Sequence, residues 1–298
     1  MTFRFDASYK AGYAVIVGKP NVGKSTLMNR LVGEKLSITS AKPQTTRLAI
    51  KGIYNDAEKQ IVFLDTPGFL KPRYEMQERM LRQMTEALND ADVVIFMSEV
   101  TGFPTDYDWQ LLEVLKSVKR PTLALLNKTD LCPSLDEARI KALLPASYEE
   151  VLFISATSGR GVEQVIPRIA AYLPFSPPFY DPEQLSDLPM RFFAHETIRE
   201  GIFHQYGEEI PYATAVLIDR YEELEDKVVI HATIWIERDS QKPILIGKKG
   251  EGLRRIREYA EKQFGVFLGM PVQFHLWVKL KKNWRKNPGA LRQIGLRD

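Results

Sequence analysis

The sequence predicts a doubly wound α/β domain with a mostly parallel sheet, followed by a smaller α+β domain, and three observations carry that expectation. Apolar, β-rich runs alternate with helical patterns through the first 173 residues, the rhythm of βα units. A stretch too proline-rich for helix or strand, Pro174-Phe-Ser-Pro-Pro-Phe-Tyr-Asp-Pro182, then interrupts the pattern and reads as a linker. Beyond it the order changes to helix, strand, strand, helix, helix, strand. At 298 residues the chain suits two domains of roughly 100 to 200 residues each, expected at 1–175 and 190–298 with the linker at 176–189.

In order, strands are expected at 14–17, 48–54, 60–64, 93–97, 122–126 and 151–154, with helices at 24–32, 75–89, 106–117 and 162–172 between most of them. After the linker come an amphipathic helix at 190–206 and strands at 212–220 and 228–237. A short apolar step at 243–246, a basic helix at 251–264 and a strand at 272–280 complete the series. Alternation in His231-Ala-Thr-Ile-Trp-Ile-Glu237 fits a half-buried antiparallel strand.

Bulk properties narrow the function. Apolar runs such as 93–97 fall far short of the roughly 20 residues that span a bilayer. The segment Met1-Thr-Phe-Arg-Phe-Asp6 carries no basic stretch followed by an apolar one, so no secretory leader is expected. The single cysteine, Cys132, precludes an internal disulfide and fits a reducing cytosol. Charge is unevenly spread: residues 243–298 hold 13 Lys and Arg against 4 Asp and Glu, while residues 1–242 hold 28 against 34. A basic end fits nucleic acid, anionic lipid or a merely solvated face.

The sharpest signals are loops that follow strands. Gly18-Lys19-Pro20-Asn21-Val22-Gly23-Lys24-Ser25, with Thr26 next, matches the Walker A pattern between an apolar strand and a helix. Its glycines let backbone N–H groups curl around a β-phosphate, Lys24 reaches the β and γ oxygens, and Ser25 takes a place on Mg²⁺. Asp65-Thr66-Pro67-Gly68, with Phe69 after it, follows the third strand. There a carboxylate can hold magnesium and the Gly68 N–H can face the γ-phosphate.

Asn127-Lys128-Thr129-Asp130 ends the fifth strand and discriminates between bases: an aspartate accepts from both N1–H and the exocyclic amine of guanine, a pattern adenine lacks. Buried polar sites of this kind reject the wrong partner by about 10⁴ to 10⁵. Ser155-Ala156-Thr157 follows the last strand of this domain, where its amides can approach the guanine oxygen. Between the first helix and second strand, Lys42-Pro-Gln-Thr-Thr-Arg47 occupies the place of a switch segment. Its threonine completes the magnesium shell, Thr46 being favoured over Thr45.

Together with Gly247-Lys248-Lys249-Gly250, these motifs (Gly18 to Ser25, Gln44-Thr-Thr-Arg47, Asp65 to Gly68, Asn127 to Asp130 and Ser155-Ala156) resemble the Era family of GTPases over nearly the whole chain. The resemblance implies a P-loop GTPase domain joined to a KH domain of the bacterial type. It further implies binding of GTP and GDP, and of the 3′ end of 16S rRNA, in maturation of the small (30S) ribosomal subunit. The family also implies a loose association with the inner face of the cell membrane; a cytoplasmic monomer is expected.

Physical reading supports the second half more thinly. In the stretch 244–256 the two glycines precede a basic helix, so a phosphate backbone can pass close while Lys248, Lys249, Arg254 and Arg255 neutralise it. The segment Trp277-Val-Lys-Leu-Lys-Lys-Asn-Trp-Arg-Lys286 interleaves tryptophan with cations, which suits stacked bases, anionic lipid or a plain terminal strand.

Hydrolysis would be in-line attack of water on the γ-phosphate, assisted by the loop, Lys24, Gly68, Thr46 and Mg²⁺. Ras-like GTPases carry a water-orienting glutamine where this chain has Phe69, so slow intrinsic turnover is expected. Relatives with an apolar residue there often use a potassium ion held by the phosphate-loop asparagine, and Asn21 matches that position. The four histidines, His195, His204, His231 and His275, lack metal-ligand spacing. The alternative function is a peripheral membrane signalling GTPase whose basic tail binds anionic lipid.

Overall fold

The computed structural model describes residues 7–296 except 41 and 147, so the first six residues of the chain lie outside it. The described residues form two compact units. The first comprises the chain to Ser37, Thr46–Lys71 and Met80–Asp187; the second comprises Ile38–Thr45, Pro72–Arg79 and the chain from Leu188.

In the first unit, β1 (Lys10–Val17), α1 (Lys24–Val32), β2 (Ile50–Asn55), β3 (Lys59–Asp65), α2 (Glu75–Asp90, whose first turn counts with the second unit), β4 (Val93–Glu99), α3 (Asp106–Leu115), β5 (Thr122–Asn127), α4 (Glu137–Lys141), β6 (Glu150–Phe153) and α5 (Val165–Ala171) follow one another. The sheet order is β2-β3-β1-β4-β5-β6. All neighbours are parallel except the β2–β3 hairpin, whose turn is closed by Asp56 Oδ1 accepting from the amides of Glu58 and Lys59. Strands β4 and β5 are almost wholly buried, as continuous apolar runs covered on both faces must be. Helix α1 buries Lys24, Leu27, Met28 and Leu31, one face at helical spacing, and stops at Gly33 in the left-handed region.

The strand order reverses beside β1, which has β3 on one side and β4 on the other. Ligands of open α/β sheets bind outside the carboxyl ends of the strands at such a point. The loops after β1, β3 and β5 therefore meet at one end of the sheet. The proline-rich stretch does not run free after α5. Ile53 N–H donates to Leu185 O, Gln60 bonds to both Phe179 and Tyr180, Lys51 pairs with Asp187, and Phe179 stacks on Tyr13. Its aromatic and polar side chains thus find partners along β1–β3.

The second unit contains α6 (Met190–Gln205), α7 (Ile210–Ala213), β7 (Ala215–Glu223), β8 (Val228–Ile236), α8 (Gln241–Ile246), α9 (Glu251–Leu268), β9 (Val272–Leu280) and α10 (Pro288–Gln293). Strand β7 pairs antiparallel with β8, and β8 pairs parallel with β9 through the α8–α9 crossover. One expectation is corrected: Tyr212 and Ala213 lie in the helical turn Ile210–Ala213, with Pro211 in its first turn, rather than in a strand. The apolar step at 243–246 is the end of α8, the first of the two adjacent helices in the expected order. Within this unit Arg199 donates to Thr45 O at 2.8 Å, and Lys42 donates to the carbonyls of Phe203 and Tyr206 that end α6.

Candidate nucleotide site

The loop Gly18–Ser25 wraps from β1 into α1, and its glycines are sterically required. A Cβ on Gly18 would lie 2.1 Å from Met97 O, and one on Gly23, at φ 103°, would lie 2.4 Å from Asn127 Nδ2. Asn21 also adopts a positive φ, 67°. Lys24 is buried and its ammonium donates to the carbonyls of Gly18 and Lys19, both at 3.1 Å. Burial lowers its pKa to about 8, with the nearby Asp65 charge opposing the shift.

Three oxygen-bearing side chains converge beside it. Ser25 Oγ donates to Asp65 Oδ2 at 2.6 Å, Thr46 Oγ1 lies 3.1 Å from Ser25 Oγ, and Thr46 donates to Asp65 Oδ2 at 3.3 Å. Thr46, not Thr45, is therefore the hydroxyl that turns inward. Asp65 is fully buried, its pKa is raised by that burial, and its Oδ1 has no hydrogen-bond partner among the described residues. Two hydroxyls and an orphaned carboxylate oxygen are a donor set of hard oxygens, which fits magnesium.

Past Asp65, Thr66 Oγ1 donates to Ile16 O at 2.8 Å, and Phe69 N–H donates to Gly18 O at 2.9 Å, tying this loop to the phosphate loop. Gly68 approaches Pro20 so closely that a Cβ would meet it at 2.8 Å. The Phe69 ring points away, into the core with Val17, Leu64, Met84 and Leu88. Pro67 is buried, Val22 lies in the loop before α1, and Thr26 lies in the first turn of α1.

Asn127 acts as a brace: its Nδ2 donates to Val22 O at 2.7 Å and its Oδ1 accepts from Ala156 N–H at 2.8 Å. Lys128 stands at φ 65° and Thr129 N–H donates to Ile154 O, which leaves Asp130 exposed at the rim. Ser155 Oγ accepts from Ser158 N–H, and Thr157 is exposed.

Two further residues, absent from the sequence-based assignment, hold this arrangement. Arg30 donates to Ala156 O at 2.7 Å and Thr157 O at 2.6 Å. Glu99, at the end of β4, pairs with Lys19 at 3.0 Å and with Lys128. Burial opposes its ionisation, but those two ammonium groups outweigh it and hold its pKa low. Position at a strand's carboxyl end was the available signal for Glu99; Arg30 offered none.

In the second unit, Gly247 (φ 74°), Lys249 (φ 53°) and Gly250 (φ 81°) form a tight turn between α8 and α9. A Cβ on Gly247 would lie 2.7 Å from Gly252 N. Lys248 and Lys249 are exposed, as are Arg254 and Arg255, which have Glu258 and Glu251 at 3.7 and 3.4 Å.

Comparison with known proteins agrees with both halves. The family described as "50S ribosome-binding GTPase" matches residues 13–128, and the KH domain family matches residues 209–285. The chain is 40% identical to the GTPase Era of Lactobacillus helveticus (strain DPC 4571) over 296 residues, covering 97% of each. It is 41% identical to the GTPase Era of Staphylococcus haemolyticus (strain JCSC1435) over 290 residues, 96% of this chain and 97% of that one. Among solved structures, an Era variant from Aquifex aeolicus bound to GDP.AlF4⁻ superposes with a TM-score of 0.90 at 35% identity, covering 97% of this chain and 100% of that one. Era in complex with MgGDPNP and nucleotides 1506–1542 of 16S ribosomal RNA gives a TM-score of 0.89 at 34% identity, with the same coverage.

Proposed function

This chain belongs to the Era family of GTPases and is itself a GTPase; from that premise we propose that it hydrolyses GTP with magnesium and binds 16S rRNA of the small ribosomal subunit through its KH unit. The observation that carries the reading is the convergence of Ser25, Thr46 and Asp65 beside the buried Lys24.

Ser25, Thr46 and Asp65 would hold the magnesium ion, which neutralises charge on phosphate oxygens. Lys24 would exchange its two loop carbonyls for β- and γ-phosphate oxygens, and the loop amides would cradle the β-phosphate. Asp130 would accept from N1–H and the exocyclic amine of guanine, while Asn127 and Arg30 keep the base-side loops rigid. The Phe69 ring faces the core, so this side chain does not position the attacking water, and Asn21 is the candidate holder of a potassium ion that compensates.

On the RNA side, the Gly247–Gly250 turn would let a phosphate backbone approach, with Lys248, Lys249, Arg254 and Arg255 supplying positive charge. The related structure that contains a 16S rRNA fragment supports this reading. A role in 30S maturation is part of this proposal, as the purpose that such RNA binding would serve. No helix among the described residues is long and apolar enough to cross a membrane.

Two measurements on the full chain test the proposal. Calorimetry should show GTP binding in Mg²⁺ with ATP at least a thousandfold weaker; equal affinities would refute it. A 3′-terminal 16S rRNA fragment should bind, and Lys248→Glu with Lys249→Glu should weaken that binding at least tenfold. Undiminished affinity of the double variant would remove the loop from the RNA site.

A further inference from the structure

The exposed face of the three-stranded sheet carries chemistry that neither the nucleotide site nor the Gly247–Gly250 turn uses. Side chains alternate along a strand. Ile230, Ala232 and Ile234 of β8 and Phe274 of β9 are buried on the helix side, where Phe264 of α9 packs on Phe274 at 6.1 Å. The intervening residues therefore face the other way.

On that other face His231 and His275 are Cα partners, and their rings stack at 4.7 Å with planes 20° apart. Trp277 stacks on His231 at 5.5 Å and 11° and lies 6.3 Å from His275. Three near-parallel rings thus form one platform, and the indole at its end is 51% exposed. Continuing along β9 on the same face comes Lys279, exposed; just past the end of the strand is Lys281, whose ammonium sits 5.2 Å from the Trp235 ring. Strand β9 contains no carboxylate. The acids of this face belong to β7 and are engaged: Asp219 accepts from Thr233 Oγ1 at 2.7 Å, and Glu222 pairs with Arg220.

An isolated exposed ring is unremarkable. Three stacked rings leading into a row of cations match the two needs of an unpaired nucleotide chain, a flat surface for bases and positive charge for phosphates. The two imidazoles lie face to face rather than aiming nitrogens at a common point. Among the described residues no group of three His, Cys, Asp or Glu could hold a metal.

We infer that this sheet face is a second RNA-binding surface, on which unpaired bases stack against Trp277 and the His231–His275 pair while Lys279 and Lys281 hold the flanking phosphates. The inference rests on the RNA reading above but places the contact on the opposite side of the sheet from α9, whose amino end carries the Gly247–Gly250 turn. Stacking of this kind tolerates any base, because every base has a π-face. The surface would add affinity for single-stranded segments without adding sequence preference.

The test uses the full chain and a single-stranded RNA of about 20 nucleotides carrying 5-iodouridine at alternate positions. After irradiation, peptide mass spectrometry should find adducts at His275 or Trp277 as well as near residues 247–255. Trp277→Ala should weaken binding about tenfold, as loss of one stacked base predicts, whereas Trp277→Phe should stay within about twofold of the parent chain. The Phe variant guards against a trivial folding effect. Adducts confined to 247–255, with unchanged affinity of Trp277→Ala, would overturn this inference and leave the loop reading standing. Failure of the parent chain to retain any RNA would overturn both. A Trp277 fluorescence shift with phosphatidylglycerol vesicles but not with RNA would overturn it in favour of a membrane surface.

Discussion

Asp65 accepts a 2.6 Å hydrogen bond from Ser25 Oγ, joining the loop after β3 to the loop after β1 across 40 residues of sequence. Asp65 is fully buried, where water cannot easily screen it, so small changes in charge there have large effects. Asp65→Asn keeps the shape but removes the charge that a magnesium ion needs. Affinity for GTP in Mg²⁺ should fall by tenfold or more, while affinity measured in EDTA should change little. Equal losses in both conditions would count against Asp65 as the metal-side carboxylate.

Lys24 supplies a pH prediction. Burial lowers its pKa to about 8, with Asp65 opposing. Without nucleotide, the unfolded chain holds a proton that the folded chain has lost between about pH 8 and the ordinary lysine value near 10.5. Stability from this group therefore rises with pH across that window. A triphosphate beside the amine restores its charge, so GTP affinity falls as pH rises through the same window. Calorimetry at pH 8.5 in two buffers of different ionisation enthalpy should show net proton uptake on GTP binding, absent in Lys24→Met. Proton release in the parent chain would contradict this account.

Asp130 is exposed at the rim of the base-side loops. Asp130→Asn replaces two acceptor oxygens with one acceptor and one donor, a pattern that suits xanthine, whose 2-position is a carbonyl. GTP affinity should fall about a hundredfold and XTP affinity should rise, as charged hydrogen bonds of roughly 1.5 to 3 kcal/mol predict. Competition binding of the two nucleotides reads the switch directly; an unchanged preference for GTP would exclude Asp130 from base recognition.

Phe69 packs in the core instead of facing the phosphate loop. Phe69→Gln should cost about 3 kcal/mol of stability, comparable with truncation of a buried aromatic, and should not accelerate hydrolysis. A thermal melt together with single-turnover rates checks both parts. A stable, faster variant would mean that this residue does set the water-orienting position.

Arg30 reaches 126 residues along the chain to hold the carbonyls of Ala156 and Thr157. Arg30→Ala should loosen that loop and raise the dissociation rate of GDP about tenfold, corresponding to one or two charge-assisted hydrogen bonds. Stopped-flow displacement of a fluorescent GDP analogue measures it, and an unaltered rate would confine Arg30 to a surface role.

Asn21, at positive φ in the phosphate loop, is the proposed potassium holder. Turnover should be several times faster in potassium than in sodium at equal ionic strength. Identical rates would dismiss the idea, and the low intrinsic rate expected from Phe69 would then stand unassisted.

What the sequence determined by itself was everything local. The glycines of 18–23 and 247–250, the apolar runs of β4 and β5 and the spacing of Leu27, Met28 and Leu31 each act over a few residues, because backbone φ and side-chain periodicity are short-range constraints. Helix α1 and strand β9 accordingly lie at the boundaries the pattern predicts. Tertiary structure alone decided the rest: that Thr46 rather than Thr45 joins Ser25 and Asp65, that the Phe69 ring turns inward, that Arg30 and Glu99 brace the base-side loops, and that the proline-rich stretch is pinned along β1–β3. Each of these depends on groups brought together from distant parts of the chain. Their free energy comes from burial and pairing that no local window contains, so only the folded arrangement can select among side chains that are equivalent in sequence.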